Sequence, residues 1–174
     1  MHPLEDNLKK IILLRHFTAQ NGQFGIPDKD RILTSKSQKE CEWFYSHVAP
    51  YLPPIDLVLC STAKRTFQTL SHIIHIISSH ARIIYDDYLY LASRDQLIET
   101  VQLMNDDYKH ILVIAHNPGL SYLVQSLNNK VMHAFPTGSV AVLQSSVEEW
   151  QDVHMRTLHL ESVYIPTVVF DQSA

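Results

Sequence analysis

The sequence predicts a three-layer α/β/α sandwich, a mostly parallel central sheet with helices on both faces. Two patterns carry that prediction. Short apolar runs of strand length alternate along the chain with longer stretches of helical periodicity, the mark of β-α-β units and so of parallel strands. Three of those runs also stop abruptly in Arg, His, Ser or Asn, and in such sheets ligands sit outside the carboxyl ends of the strands.

Taken in order, Ile11–Leu14 is a continuous apolar run ending in Arg15-His16, a first buried strand. Gly22, Gly25 and Pro27 mark the polar stretch after it as a loop. A helix is expected from Thr34 to about Val48, ended by Pro50, Pro53 and Pro54. Asp56–Cys60 is the second strand. Ser61-Thr62 can cap a helix from about Ala63 to Ser79, with Phe67, Leu70, Ile73, Ile74 and Ile77 at helical spacing and read as core. Arg82–Tyr85 is a third strand, and Asp95–Met104 a helix carrying Leu97, Ile98, Val101 and Leu103. His110–Ala115 is the clearest strand, followed by a turn at His116-Asn117-Pro118-Gly119, a helix over Leu120–Leu127 and a fifth strand at Ser139–Leu143. The last thirty residues are ambiguous, with Val163–Ile165 and Val168–Phe170 β-prone.

Length and composition narrow the function. The 174 residues, 45% hydrophobic and without repeat, low-complexity tract or Gly/Ser linker, predict one domain over 1–174 that needs no disulfide or metal to hold its core. Fourteen Lys and Arg against eighteen Asp and Glu leave a net charge of −4, which argues against a nucleic-acid partner. No apolar run reaches the roughly 18–20 residues of a membrane span. The N-terminus MHPLEDNLKK carries acids before its lysines, unlike a secretory signal. With only Cys41 and Cys60, read as reduced buried thiols, a cytoplasmic location is expected.

The strand ends hold the chemistry. The first ends in Arg15-His16, the second in Cys60-Ser61-Thr62-Ala63-Lys64-Arg65, the fourth in His116-Asn117-Pro118-Gly119. If these strands are neighbours, two histidines and two arginines meet at one edge of the sheet, and the helices after strands two and four aim free N–H groups there. Helix N-termini and arginine forks both favour phosphoryl oxygens. A neutral imidazole nitrogen in such a pocket is a competent nucleophile toward phosphorus, and the cations offset the charge of the transition state. The strand ends offer no Asp-rich cluster of the kind that holds Mg²⁺, so no metal or other cofactor is expected.

These residues resemble a known family. Leu13-Leu14-Arg15-His16 with Phe17-Thr18-Ala19, Asp30-Arg31-Ile32-Leu33-Thr34, Ser61 to Thr69, His116-Asn117-Pro118-Gly119-Leu120 and Pro136-Thr137-Gly138-Ser139 are similar, in family order, to segments of the histidine phosphatase superfamily. The likeness is to its small SixA-type phosphohistidine phosphatase branch and spans about residues 11–143. It implies a phosphoglycerate mutase-like fold. It also implies His16 as the phosphorylated nucleophile, and Arg15, Arg65 and His116 as phosphate-pocket residues, with backbone amides near Asn117 and in the Thr18–Ala19 loop assisting. Arg31 is as well suited to a structural salt bridge as to a ligand role. Three positions depart from the pattern. Phe17 replaces a glycine and threatens to narrow the pocket or to strain a positive φ. Ser37 replaces a glycine and is expected on a helix surface, and Thr62 replaces a proline.

No general acid matches a motif. Asn117 stands where one branch carries it, and Asp86, Asp87 and Asp95 match nothing. A P–N bond needs less help than a P–O bond, because the leaving imidazole takes up a proton near neutral pH. The expected substrate is therefore phosphohistidine on a partner protein. A small phosphomonoester stands second, and a catalytically weak phosphoprotein-binding domain that keeps the pocket is the third reading. A mutase would need further basic residues that are not assigned. His72, His75 and His80 lack a completing Glu or Cys for a metal site, and Cys60 is one residue too close to Arg65 for a cysteine-dependent phosphatase loop. The remaining histidines, His2 and His133 among them, show no pattern.

Overall fold

The central apolar runs become strands of one sheet because each can bury both faces under a helix layer, whereas Arg82–Asp86, at one edge, has no buried residue. The computed structural model describes residues 8–77, 80–128 and 134–166. Among these, β1 (Lys10–Arg15), β2 (Leu57–Ser61), β3 (Arg82–Asp86), β4 (His110–Ala115), β5 (Val140–Ser145) and β6 (Leu158–Tyr164) form a six-stranded sheet in the order β3-β2-β4-β1-β5-β6. The β3, β2, β4 and β1 strands run parallel, and β5 and β6 add an antiparallel wing.

Alternate residues divide between two cores. Ile11, Leu13, Leu57, Leu59, Ile111 and Val113 pack under α3 (Arg94–Gln102) and α4 (Gly119–Leu127). Ile12, Leu14, Val58, Leu112 and Ile114 pack under α1 (Lys36–His47) and α2 (Lys64–Ile73). Each such side chain contributes roughly 1.5–3 kcal/mol on full burial. The result is the three-layer α/β arrangement with a mostly parallel sheet.

Local chemistry moved several element boundaries. The first helix starts at Lys36 rather than Thr34, because the Thr34 amide pairs with the Thr18 carbonyl. Its predecessor residues instead join the loop that carries Ala19 against Leu33. The second helix ends at Ile73 and tightens into a 3₁₀ turn over Ile74–Ile76. The third is fixed by a capping box, Ser93 and Gln96 bonding each other's backbone N–H. The C-terminal strand begins at Leu158, ahead of the β-prone Val163, while Val168–Phe170 lies outside the described residues.

Three burial expectations fail. Phe67 is 52% exposed, not core. The inward face of α2 is Thr66, Thr69, Leu70 and Ile73 with Arg65, and Phe67 sits a further 100° round from Thr66. Ile74 leaves the same face where the helix tightens and is also exposed. Ser37, expected on a helix surface, is buried and donates to the Thr34 carbonyl at 2.7 Å. No helix among the described residues is long and apolar enough to cross a membrane.

Candidate active site

Register brings the two histidines together. Parallel β1 and β4 pair Arg15 with Ala115, so the next residues, His16 and His116, leave the sheet side by side with ring centroids 5.1 Å apart. Arg65, in the first turn of the helix after the adjacent β2, is buried beneath them.

His16 is buried, and its Nδ1 lies 2.7 Å from the Phe17 carbonyl. A carbonyl only accepts, so Nδ1 carries the proton and donates, which leaves the lone pair on Nε2. Burial, with the charges of Arg65, Arg15 and Arg31 behind it, pushes the pKa of His16 down to about 3. The ring is therefore neutral at pH 7. His116 is lowered to about 2, by burial first and then by His16 and Arg65. Its Nε2 meets the Ser61 hydroxyl at 2.8 Å, while its Nδ1 is buried without a protein partner. Tyr90 packs edge-on against this ring at 5.5 Å.

The arginines are held by acceptors around the pocket. Arg15 Nη1 donates to the Phe135 carbonyl at 2.9 Å, and its Nε is buried without a protein partner. Arg65 donates through Nη1 to the Asp28 carbonyl and through Nη2 to Asp28 Oδ2, at 2.6 and 2.9 Å. Arg31 donates to Asp28 Oδ1 at 2.7 Å and to the Gln20 carbonyl at 2.6 Å. The evenly balanced Arg31 thus makes the salt bridge and still lends its charge to His16. Asp28 also accepts from Tyr90 Oη at 2.6 Å. The Tyr90 hydroxyl, then Arg31 and Arg65, hold its carboxyl below the usual range. Asp28 is a fixed carboxylate with no proton to give near neutral pH.

The turn before β5 closes the site. Gly138 adopts φ +72°, and its amide reaches the carbonyls of Arg15 and His16 at 3.1 and 3.2 Å. Thr137 and Thr18 both bond the buried carboxylate of Glu40.

Other expected contributors fare differently. The Asn117 side chain donates to the Phe135 carbonyl at 2.9 Å, the acceptor also used by Arg15. The Thr18 amide, expected to face phosphate, is instead taken by Glu40. Phe17 has no positive φ and turns its ring into the core beside Phe44 and His72, so neither feared effect of that residue is seen. Asp87 bonds Thr62 and Lys29 on the exposed rim. The Cys60 thiol is buried and pushed up to about 12 by that burial, unsuited to nucleophilic work. Sequence reasoning missed Ser61, Asp28, Tyr90 and Glu40 as parts of the site. Ser61 alone carried a signal, as the last residue of a strand that ends at the pocket.

This geometry can bind a phosphoryl group among arginine and imidazole donors and present one imidazole lone pair to it. No family model matches the sequence. An uncharacterized protein of Mycobacterium tuberculosis is 32% identical over 152 residues, covering 82% of this chain and 93% of its own length. A solved structure assigned as the phosphohistidine phosphatase SixA of Nakamurella multipartitia is 27% identical, with a TM-score of 0.75 over 92% of this chain and 97% of that one. A phosphoglycerate mutase from Plasmodium falciparum shares the fold, with a TM-score of 0.61 at 18% identity over 92% and 96% of the two chains. With that fold and that likeness over most of its length, the chain belongs to the histidine phosphatase superfamily, the phosphoglycerate mutase-like proteins, and is similar to its small SixA-type branch.

Proposed function

We propose that this chain is a metal-independent phosphatase that works through a phospho-His16 intermediate and removes phosphate from phosphohistidine on a partner protein. The observation that carries the proposal is the state of His16: neutral, with Nδ1–H donated to the Phe17 carbonyl and Nε2 free among arginines. In the first step Nε2 attacks phosphorus, a new P–N bond forms and the substrate's bond to its leaving group breaks. The leaving imidazole takes a proton. Water then attacks phospho-His16, releasing phosphate and restoring the ring. Arg15, Arg65 and His116 bind the three equatorial oxygens and offset their charge, with Arg31 adding to the field. Asn117 and Arg15 share the Phe135 carbonyl, so Asn117 fixes the wall beside Arg15.

Asp28 supports the P–N reading. Its carboxylate is bonded to Tyr90, Arg31 and Arg65, and those bonds keep it ionised. An alkoxide would leave unprotonated, whereas an imidazole finds its proton near neutral pH. The buried thiols Cys41 and Cys60 suit a reducing cytoplasm.

The test is phosphate release in EDTA from a phosphohistidine peptide and from an aryl phosphate, by wild type and His16→Ala. Wild type is expected to release phosphate from both, faster from the peptide, and the variant from neither. Release by His16→Ala at the wild-type rate would remove His16 from the mechanism. Binding of phosphopeptide with no release would leave a binding module.

A further inference from the structure

Glu40 lies in α1, 1% exposed, where a charge is costly unless its bonds are complete. They are complete. Oε2 accepts the Thr18 N–H at 2.6 Å, and Oε1 accepts the hydroxyls of Thr18 and Thr137 at 2.8 and 2.6 Å. The Thr18 N–H and the Phe17 carbonyl belong to one planar peptide group. That carbonyl, at the other end of the plane, accepts Nδ1–H of His16 at 2.7 Å. Carboxylate, peptide and imidazole therefore stand in one line of hydrogen bonds.

We infer that Glu40 is a positioning residue that orients and polarises the peptide between Phe17 and Thr18, and through it holds His16 in the tautomer whose Nε2 is nucleophilic. The inference rests on the reading of His16 as the nucleophile. A charged acceptor makes a bond about twice as strong as a neutral one, and polarising the N–H of a peptide makes its carbonyl a better acceptor in turn. The peptide does here what a carboxylate bonded directly to a catalytic histidine does elsewhere: it fixes which ring nitrogen carries the proton. Through Thr137 the same carboxylate braces the turn whose Gly138 amide holds the backbone carbonyls of Arg15 and His16.

Two substitutions separate reach from charge. Glu40→Gln keeps an oxygen opposite the Thr18 amide but loses the charge. Glu40→Asp keeps the charge and withdraws it by about 1.5 Å, one C–C bond. Aryl phosphate turnover and the ¹H–¹⁵N ring spectrum of His16 are measured for each. Glu40→Asp is expected to lose about 10–100-fold in kcat with KM little changed, and to show a mixture of His16 tautomers. Glu40→Gln is expected to keep several-fold more activity and a single tautomer, with the Nδ1–H signal moved upfield. The inference is overturned if Glu40→Asp keeps the wild-type kcat and ring spectrum, if Glu40→Gln loses more than Glu40→Asp, or if the loss lies in KM alone. Should Glu40→Asp not fold, Glu40→Gln decides by itself: an unmoved Nδ1–H signal overturns the relay and an upfield shift supports it. A wild type that turns over no substrate refutes the phosphatase reading, and the ring spectra still decide the relay.

Discussion

Phe17 stands where the signature that this segment resembles has glycine, next to His16, yet its side chain belongs to the core. It is fully buried against Phe44, with a ring separation of 6.4 Å, and its Cδ1 lies 3.4 Å from where a Cβ on Gly138 would stand. Only its backbone carbonyl serves the site. Phe17→Gly is therefore expected to destabilise the protein by about 4 kcal/mol through the cavity it leaves, without raising turnover. Denaturant unfolding and phosphate release check this, and a faster enzyme of unchanged stability would mean that the ring obstructs the pocket. Arg15, His16 and His116 were legible because each lies where an apolar run stops, and Arg65 because it opens the helix that follows one; polar residues there need a reason. Glu40 was not legible. A single glutamate among Gln38, Lys39 and Glu42 reads as the solvated side of a helix, and its burial depends on Thr18 and Thr137, which the fold brings from far along the chain. Asp28 and Tyr90 were hidden likewise, since they come from loops whose course no periodicity describes.

At the level of elements, the approach of α4 to its neighbour fixes where His116 stands. A Cβ on Gly119 would lie 2.0 Å from the Ala92 carbonyl oxygen, so the start of this helix rests on the backbone ahead of α3. Gly119→Ala must push the two apart. A loss of about 1–3 kcal/mol is expected from the overpacking, with a rise in KM because His116 sits on the same turn. Thermal unfolding and steady-state kinetics measure both, and an unaltered KM at reduced stability would uncouple the turn from the pocket. The strands were the most legible elements. A run such as His110–Ala115, apolar at five successive positions, has few homes besides the centre of a parallel sheet. Helix α2 was less so, because turning Arg65 inward competes with burying Phe67, and the sequence does not say which side chain wins.

Across the whole molecule, the pocket makes stability depend on pH. His16 and His116 are neutral in the folded state down to about 3 and 2, whereas in the unfolded chain each takes up a proton near 6.5. Between those values the unfolded state binds more protons, so the folded state loses stability as pH falls below about 6.5, by roughly 1 kcal/mol per pH unit for each histidine. Urea midpoints are expected to drop between pH 7 and pH 5, and to drop less in the His16→Ala, His116→Ala double variant. Equal slopes would show that the two rings do not set the acid limit. The strand order has a consequence for biosynthesis. The β1 strand is made first, but its neighbours β4 and β5 pair Lys10 with His110 and with Gln144. A chain leaving the ribosome thus carries His16 long before anything exists to hold it, and contacts so distant in sequence form slowly. On the proposed mechanism, phosphate release by a nascent or truncated chain would therefore report that β5 has been made and has docked beside β1, whether or not β6 has followed.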